Sequence, residues 1–140
     1  MLNKVVARFK DGSIMKGNTN DFSPLKTHFH LEVVDHQVID VKVAFLKALE
    51  IDLAGLKAAF FVKNFEGNKT YAEEYKDLVA GAGRKARVTF EDGEVIVGYA
   101  LSYSRDRLGF FLVPADKKSN NERIFVVAAS TRKVEFLQPS

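Results

Sequence analysis

The chain contains no cysteine and no tryptophan, and only three of its 140 residues are proline. Without cysteine there are no disulfide bonds, thiolate metal sites or cysteine nucleophiles, and the composition suits a reducing compartment. No hydrophobic run reaches the ~18 residues that a membrane-spanning helix needs, and no apolar signal segment precedes the alternating residues at the N-terminus. We therefore expect a soluble cytoplasmic protein with no membrane span.

The net charge is small, since 21 basic residues face 18 acidic ones and leave a formal charge of +3. Such a charge permits binding to nucleic acid or another anion without requiring it. The hydrophobic fraction of 46% is typical of a globular chain. Twelve phenylalanines are present, and we expect most of them in the core because the ring carries no polar group.

An internal repeat is the most informative pattern in the sequence. Residues 5–31 align with residues 86–112 at a constant shift of 81, without a gap. The identical pairs include the residues that a β-hairpin constrains most, and we therefore interpret the chain as two copies of one unit. The pairs are Phe9 and Phe90, Asp11 and Asp92, Gly12 and Gly93, Gly17 and Gly98, Ser23 and Ser104, Phe29 and Phe110, and Leu31 and Leu112.

Each copy begins with a predicted hairpin. Alternating apolar residues lie on both sides of Asp11-Gly12 and of Asp92-Gly93, and this dipeptide favours a two-residue type I′ turn. Gly17 and Gly98 then lie inside the second strand, where an isolated glycine indicates a bulge or a sharp bend. Such bends curl a sheet into a small barrel.

The later strands align less regularly. We match residues 50–53 with 123–127 and residues 58–62 with 133–137, and residues 38–45 form an additional alternating strand in the first copy. A helix is the alternative for residues 45–60, because leucines recur there at helical spacing. The repeat favours strands over this segment, and the sequence alone leaves both possibilities open.

A short helix is expected between the copies. Residues 70–73 fit a capping box, and Gly81 and Gly83 supply a stop. The predicted fold is mainly β: a first small strongly bent barrel at residues 1–66, a connector with one short α-helix at 67–83, and a second barrel at 84–140. Because units this small are marginal alone, we expect them to pack on each other as a pseudo-two-fold pair.

The second copy resembles the first motif of Sm-like barrels, whose parts also occur in SH3-like barrels. The likeness rests on the strand and turn at residues 88–93, on Gly98, on Tyr103 and on residues 110–112. It implies an Sm-like or SH3-like barrel, and RNA binding as its function. Residues 21–23 are similar to the start of the motif by which PilZ barrels bind cyclic dinucleotides.

Taken whole, the chain resembles an uncharacterised bacterial family of tandem small β-barrels that can occur beside PilZ domains. The stretches at residues 60–67 and 109–116 carry this likeness. The resemblance implies a signalling or regulatory association and no particular activity.

One basic set is concentrated enough to suggest a ligand. Combined with an aromatic ring, it could contact phosphates and stack a base; the alternative is a set of solvated charges on loops. The anion- or nucleotide-binding candidates are Arg84, Lys85, Arg87, Arg105, Arg107 and Tyr103.

His28 and His30 are two residues apart on a predicted strand and therefore face one side. They are the weak candidates for a metal site, which Asp35 or Asp40 would have to complete; a solvated strand end is the alternative, and we expect no metal and no cofactor. No catalytic constellation is recognisable. We therefore predict a non-enzymatic module that binds a partner protein, with nucleic-acid or cyclic-dinucleotide binding as the alternative.

Overall fold

The computed structural model describes residues 3–34, 48–65, 83–101, 103–104, 106–116 and 118–137. These residues form ten β-strands and two 3-10 turns, so the expected mainly β fold is confirmed. The strands are β1 (Asn3–Phe9), β2 (Ile14–Thr19), β3 (His28–Val33), β4 (Leu49–Asp52), β5 (Leu56–Val62), β6 (Arg84–Phe90), β7 (Val95–Leu101), β8 (Gly109–Pro114), β9 (Asn121–Val127) and β10 (Thr131–Phe136).

All ten strands belong to one antiparallel sheet that is not closed. Their spatial order is β10-β6-β7-β8-β9-β5-β1-β2-β3-β4, so among the described strands β10 and β4 lie at the two ends. The connector helix expected within residues 67–83, apart from Gly83, lies outside the described residues. The additional strand expected at 38–45 also lies outside them.

Both predicted hairpins are present, but their loops are one residue longer than a type I′ turn. In the first hairpin, Gly12 N donates to Phe9 O at 3.0 Å and Phe9 N donates to Ser13 O at 2.9 Å. These bonds enclose three loop residues, and Gly12 has φ of +92°. Glycine supplies the left-handed residue that a three-residue loop of this type requires.

The strand glycines permit a close crossing between neighbouring strands. A Cβ on Gly17 would lie 2.4 Å from Glu32 O, and a Cβ on Gly98 would lie 2.4 Å from Val113 O. No side chain fits such a gap, which explains why glycine stands at the same place in both hairpins.

The helical alternative for residues 45–60 is wrong over the described part of that segment. Strand β4 is followed by a 3-10 turn at Leu53–Gly55 and then by β5. Every residue of β5 is buried, and a strand buried on both faces has a continuous apolar sequence that periodicity does not distinguish from a helix.

The halves β1–β5 and β6–β10 pair their strands in the same register. Val5 pairs with Gly17 as Ala86 pairs with Gly98. A register shift interrupts the β1–β5 pairing, and a shift at the equivalent place interrupts β6–β10. We call two residues equivalent when they occupy the same register position in the two halves: the offset is 81 for β1–β3 and 75 from β4 onward.

The halves meet where β5 pairs with β9, and we call this strand pair the junction. Alternate side chains of β5 enter two separate cores: Phe60 lies in a cluster with β6–β8, while Phe61 lies in a cluster with β1 and β3. The junction joins the fifth strand of one half to the fourth strand of the other. A pseudo-two-fold pair would join like strands, so that expectation is wrong.

Candidate functional site

An aromatic and basic cluster lies beside β10 at one end of the sheet. The guanidinium carbon of Arg84 lies 4.0 Å from the ring centroid of Phe136. Tyr103 packs edge-on against Phe110 and Phe136, with ring centroids 5.0 and 5.1 Å apart. Tyr103 is 37% exposed, whereas Phe110 is buried. We call these four residues the aromatic end patch.

Of the predicted anion-binding residues that the structure describes, only Arg84 and Tyr103 lie in this patch. Arg87 lies an odd number of residues from Arg84, so strand alternation directs it to the other face of β6, where its Nη1 is 3.8 Å from Glu135 Oε1. Lys85 is half-buried on that same face.

The rest of the predicted basic set is not gathered there. Arg107 is exposed in the turn before β8, where its backbone N donates to Ser104 O at 3.3 Å. Arg105 lies outside the described residues. The structure therefore supports a smaller basic surface than the sequence predicted.

Phe136 was missed by the sequence reasoning, although it connects Arg84 to Tyr103. The signal available was the repeat itself, because Phe136 in β10 is equivalent to Phe61 in β5. Each of the two residues pairs with a residue near the start of the first strand of its half. An arginine guanidinium lies over each ring.

The first half contains an equivalent aromatic triad. Phe22 packs edge-on against Phe29 and Phe61, with both centroid distances 5.1 Å. Phe22 is equivalent to Tyr103, Phe29 to Phe110, and Phe61 to Phe136. The same ring geometry is therefore built twice, once at the junction and once at the end of the sheet.

The triad of the first half is covered by the second half. Phe125 of β9 lies 5.2 Å from Phe22, and Phe111 of β8 lies 5.9 Å from Phe61, centroid to centroid. The guanidinium of Arg123 lies over both the Phe61 ring and the Phe111 ring, at 4.4 and 4.7 Å. As a result Phe61 is 3% exposed, while its equivalent Phe136 is half-buried.

His28 and His30 lie on one face of β3, as the sequence predicted, and face carboxylates of β4. His28 Nε2 is 3.7 Å from Asp52 Oδ2, and His30 Nε2 is 3.8 Å from Glu50 Oε2. His30 Nδ1 lies 2.7 Å from Asp21 Oδ2. Among the described residues no group of three or more such side chains is arranged to hold a metal ion; Asp35 and Asp40 lie outside them.

Asp21 fixes the start of β3 from the preceding loop. Its Oδ1 accepts from the backbone N of His30 at 2.9 Å and from Thr19 Oγ1 at 3.0 Å. Partial burial raises the pKa of Asp21, but the hydrogen bonds from His30 and Thr19 outweigh it and hold the pKa below its ordinary value.

A second polar cluster joins the halves at the start of β5. Lys57 is only 8% exposed, and its Nζ donates to Asp92 Oδ2 at 2.7 Å and to Glu94 Oε1. Both carboxylates belong to the β6–β7 loop of the other half. The hydrogen bond from Lys57 lowers the pKa of Asp92, with a further bond from the backbone N of Glu94. We call Lys57 and these two carboxylates the ion clamp.

A cavity of about 190 Å³ opens beside the ion clamp. Its lining combines Lys10 and Lys57 with Glu91 and Asp92, so positive and negative charges are balanced. This small, neutralised cleft shows no preference for a charged ligand and is smaller than the roughly 300 Å³ at which ligand pockets begin.

Comparison with known proteins places the chain in a family. The family model DUF6982, described as a family of unknown function, matches residues 1–138. The chain belongs to this family. No curated protein and no solved structure gives a significant match.

Membership of DUF6982 assigns no activity, so the function of this DUF6982 chain has to be argued from its surface. Within the described residues, no helix has the length and apolarity that crossing a bilayer requires. The most distinctive surface is the aromatic end patch, because the same chain shows its equivalent in a covered state.

Proposed function

We propose that this DUF6982 chain is a non-enzymatic module that binds a partner protein in bacterial signalling, with β10 and the aromatic end patch as its binding surface. The observation that carries the proposal is the difference between the two triads. Phe22 and Phe61 contact rings of the second half, which leaves Phe61 3% exposed and Phe22 half-buried, whereas Tyr103 is 37% exposed beside β10, an outer strand of the described sheet.

The junction indicates what kind of partner the patch would accept. Phe61 is covered by Arg123 of β9, the strand paired with β5, and Phe125 of the same strand packs as a large apolar ring on Phe22. A partner that added a strand along β10 would obtain backbone hydrogen bonds and place a side chain over Tyr103 and Phe136. Aromatic residues in such positions contribute most of the binding energy at protein interfaces.

The proposal includes the architecture and location expected from the sequence. Each half is proposed to act as one small strongly bent barrel of Sm-like or SH3-like type, with residues 67–83 as a connector containing a short helix. The equal strand registers and the strand glycines support this reading. The module is proposed to work in the cytoplasm without a cofactor.

The test compares two variants as baits in affinity purification from native lysate. Tyr103→Ala is expected to lower recovery of the partner about tenfold, because truncating an aromatic anchor typically costs more than 1 kcal/mol of binding. Leu25→Ala is the matched control, since Leu25 is 76% exposed in the first half. Equal recovery of every captured protein by Tyr103→Ala and wild type would remove the patch as the binding surface.

A second candidate function is binding of a nucleotide or nucleic acid. It is favoured by the stack of Arg84 on Phe136 beside an exposed tyrosine, which offers both a cation and a ring to a base and its phosphate. Titration with single-stranded RNA and cyclic di-GMP at low salt tests it. Arg84→Ala should weaken binding, and Arg87→Ala should not, because Arg87 faces Glu135 on the other side of the strand.

A further inference from the structure

We infer that the partner of the β10 end is β4 of a second copy of this chain, joined head to tail in the register of the junction. This inference rests on the proposed function, because it names the partner of the same surface. Within the described residues, β10 and β4 are the two strands with only one neighbour in the sheet.

The junction supplies the template for this contact. It pairs a fifth strand, β5, with a fourth strand, β9. The strands left at the ends are the other fifth strand, β10, and the other fourth strand, β4. An interface between unlike surfaces leaves the same two surfaces open after each addition, so repeating it extends the sheet into a ring or a filament.

Two of the three residues of the ion clamp, Lys57 and Asp92, have charged counterparts in the other half, whereas the counterpart of Glu94 is the neutral Ser13. Lys57 lies at the register shift between β1 and β5, and Arg132 lies at the equivalent shift between β6 and β10. Asp92 in the second hairpin loop is equivalent to Asp11 in the first. A second copy docked in the junction register would bring its Asp11 to Arg132, as Asp92 is brought to Lys57, with the same signs of charge.

Both counterpart residues are accessible for this contact. Arg132 is exposed, and its Nη2 donates to the backbone O of Glu91 at 2.8 Å. Asp11 is exposed as well, and it accepts from the backbone N and the hydroxyl of Ser13 at 2.8 and 2.6 Å. A carboxylate with two neutral donors retains lone pairs for a guanidinium.

The contact between copies would be more polar than the junction. Phe125 and Val127 of β9 are replaced by their equivalents Glu50 and Asp52 in β4, which are exposed. In the junction register Glu50 would face Val134, on the side where Arg84 covers Phe136. We therefore expect an association that depends on concentration and weakens with salt, unlike the permanent contact between the halves.

The test is a charge exchange, followed by light scattering on the full chain at low salt. Wild type is expected to form species heavier than 15.7 kDa as its concentration rises. Arg132→Asp and Asp11→Arg should each raise the apparent dissociation constant at least about tenfold, and the double variant should recover association. Lys118→Asp, on the exposed loop between the interior strands β8 and β9, is the control and should associate like wild type.

A cross-link tests the register, because the chain has no cysteine of its own. The junction pairs Ala59 with Phe125, so Val134→Cys in one chain should form a disulfide with Glu50→Cys in another when the two are mixed and oxidised. Val134→Cys mixed with Lys16→Cys should not cross-link at a comparable rate.

The outcomes separate this inference from the function it rests on. A wild-type chain that stays at 15.7 kDa at every concentration overturns self-association, and so does a double variant that fails to recover it. The partner-binding proposal would survive either result if Tyr103→Ala still lost a captured protein. If Tyr103→Ala kept both the captured protein and self-association, that result would instead overturn the proposed surface.

Discussion

The middle of the sheet and its two ends are built from equivalent strands that carry different side chains. Strands β5 and β9 pair at the junction, and all of β5 is buried. Their equivalents β10 and β4 contain no residue as fully enclosed as Phe125, and every residue of β10 is at least partly exposed. Equivalent strands are thus enclosed between neighbours at the junction and lie at the outer edges of the described sheet elsewhere.

The difference lies in the side chains, because apolar positions of β5 are occupied by charged residues in β10. Ala58 and Phe60 of β5 are replaced by Lys133 and Glu135 in β10, which lie 3.4 Å apart as an ion pair. Charged residues on an edge strand keep it from pairing indiscriminately with any exposed strand. In the head-to-tail contact proposed above, the partner strand would have to supply complementary charge, whereas the junction is closed by apolar side chains.

The largest expected effect comes from removing the ring that covers the first triad. Phe125→Ala should lower the free energy of unfolding by about 3–5 kcal/mol, because a fully buried phenylalanine leaves both a cavity and lost apolar burial. Its end counterpart Glu50→Ala should change stability by less than about 0.5 kcal/mol, since the Glu50 side chain is 63% exposed. Urea denaturation of both variants measures the contrast.

The same experiment can break the comparison. Similar losses of unfolding free energy in Phe125→Ala and Glu50→Ala would mean that β4 is as enclosed as β9. β4 would then not be an exposed edge strand. The control is Leu25→Ala, at a loop residue that is 76% exposed, which should unfold like wild type.

A smaller effect on stability is expected at the first residue of the neighbouring strand, which is Gly109 of β8 beside β9 and His28 of β3 beside β4. A Cβ on Gly109 would lie 2.1 Å from Val126 O and 2.8 Å from the Phe125 ring, so Gly109→Ala should cost about 1–3 kcal/mol of stability. The equivalent residue in the first half is His28, whose side chain is 43% exposed. His28→Ala should therefore be neutral within about 0.5 kcal/mol. Thermal unfolding of both variants checks the pair, and an unaffected Gly109→Ala would show that β8 and β9 can move apart enough to accommodate a Cβ.

Much of this fold could be predicted from local sequence. The hairpins at Asp11-Gly12 and Asp92-Gly93 follow from turn chemistry, and the strand glycines follow from the close crossings they permit. The split of β5 and β9 between two cores could not be predicted, because a continuous apolar run does not reveal which neighbour covers each face.

The candidate site was predicted only in part for a related reason. Proximity in sequence grouped Arg84 with Arg87, but strand alternation sends them to opposite faces. Phe136 lies far from Arg84 in the chain, and only long-range pairing of β10 with β6 brings them together. The match of residues 58–62 with 133–137 already pairs Phe61 with Phe136, but such a match does not reveal which side chains the ring contacts.

The smallest effect on stability is expected at the ion clamp. It compares Asp92, which accepts from Lys57, with the equivalent Asp11, which accepts from Ser13. Asp92 is 56% exposed, so Asp92→Asn should cost less than about 1 kcal/mol at pH 7 once solvent screening is included. The bond from Lys57 holds the pKa of Asp92 below its ordinary value of 3.8. The stabilisation is therefore present above that pH and is lost as the pH falls through the lower, folded-state pKa.

Urea denaturation of wild type and Asp92→Asn from pH 7 to pH 2 should show the stability difference narrowing at the acid end, and added salt should narrow it at pH 7. Asp11→Asn is the matched comparison, measured at low protein concentration. The pKa of Asp11 is lowered by bonds from Ser13, which is neutral, so its effect at pH 7 should not respond to salt. A salt response in Asp11→Asn that appears only at high concentration would point to Arg132 of a second copy; a salt-independent Asp92→Asn would contradict an ionic clamp at the junction.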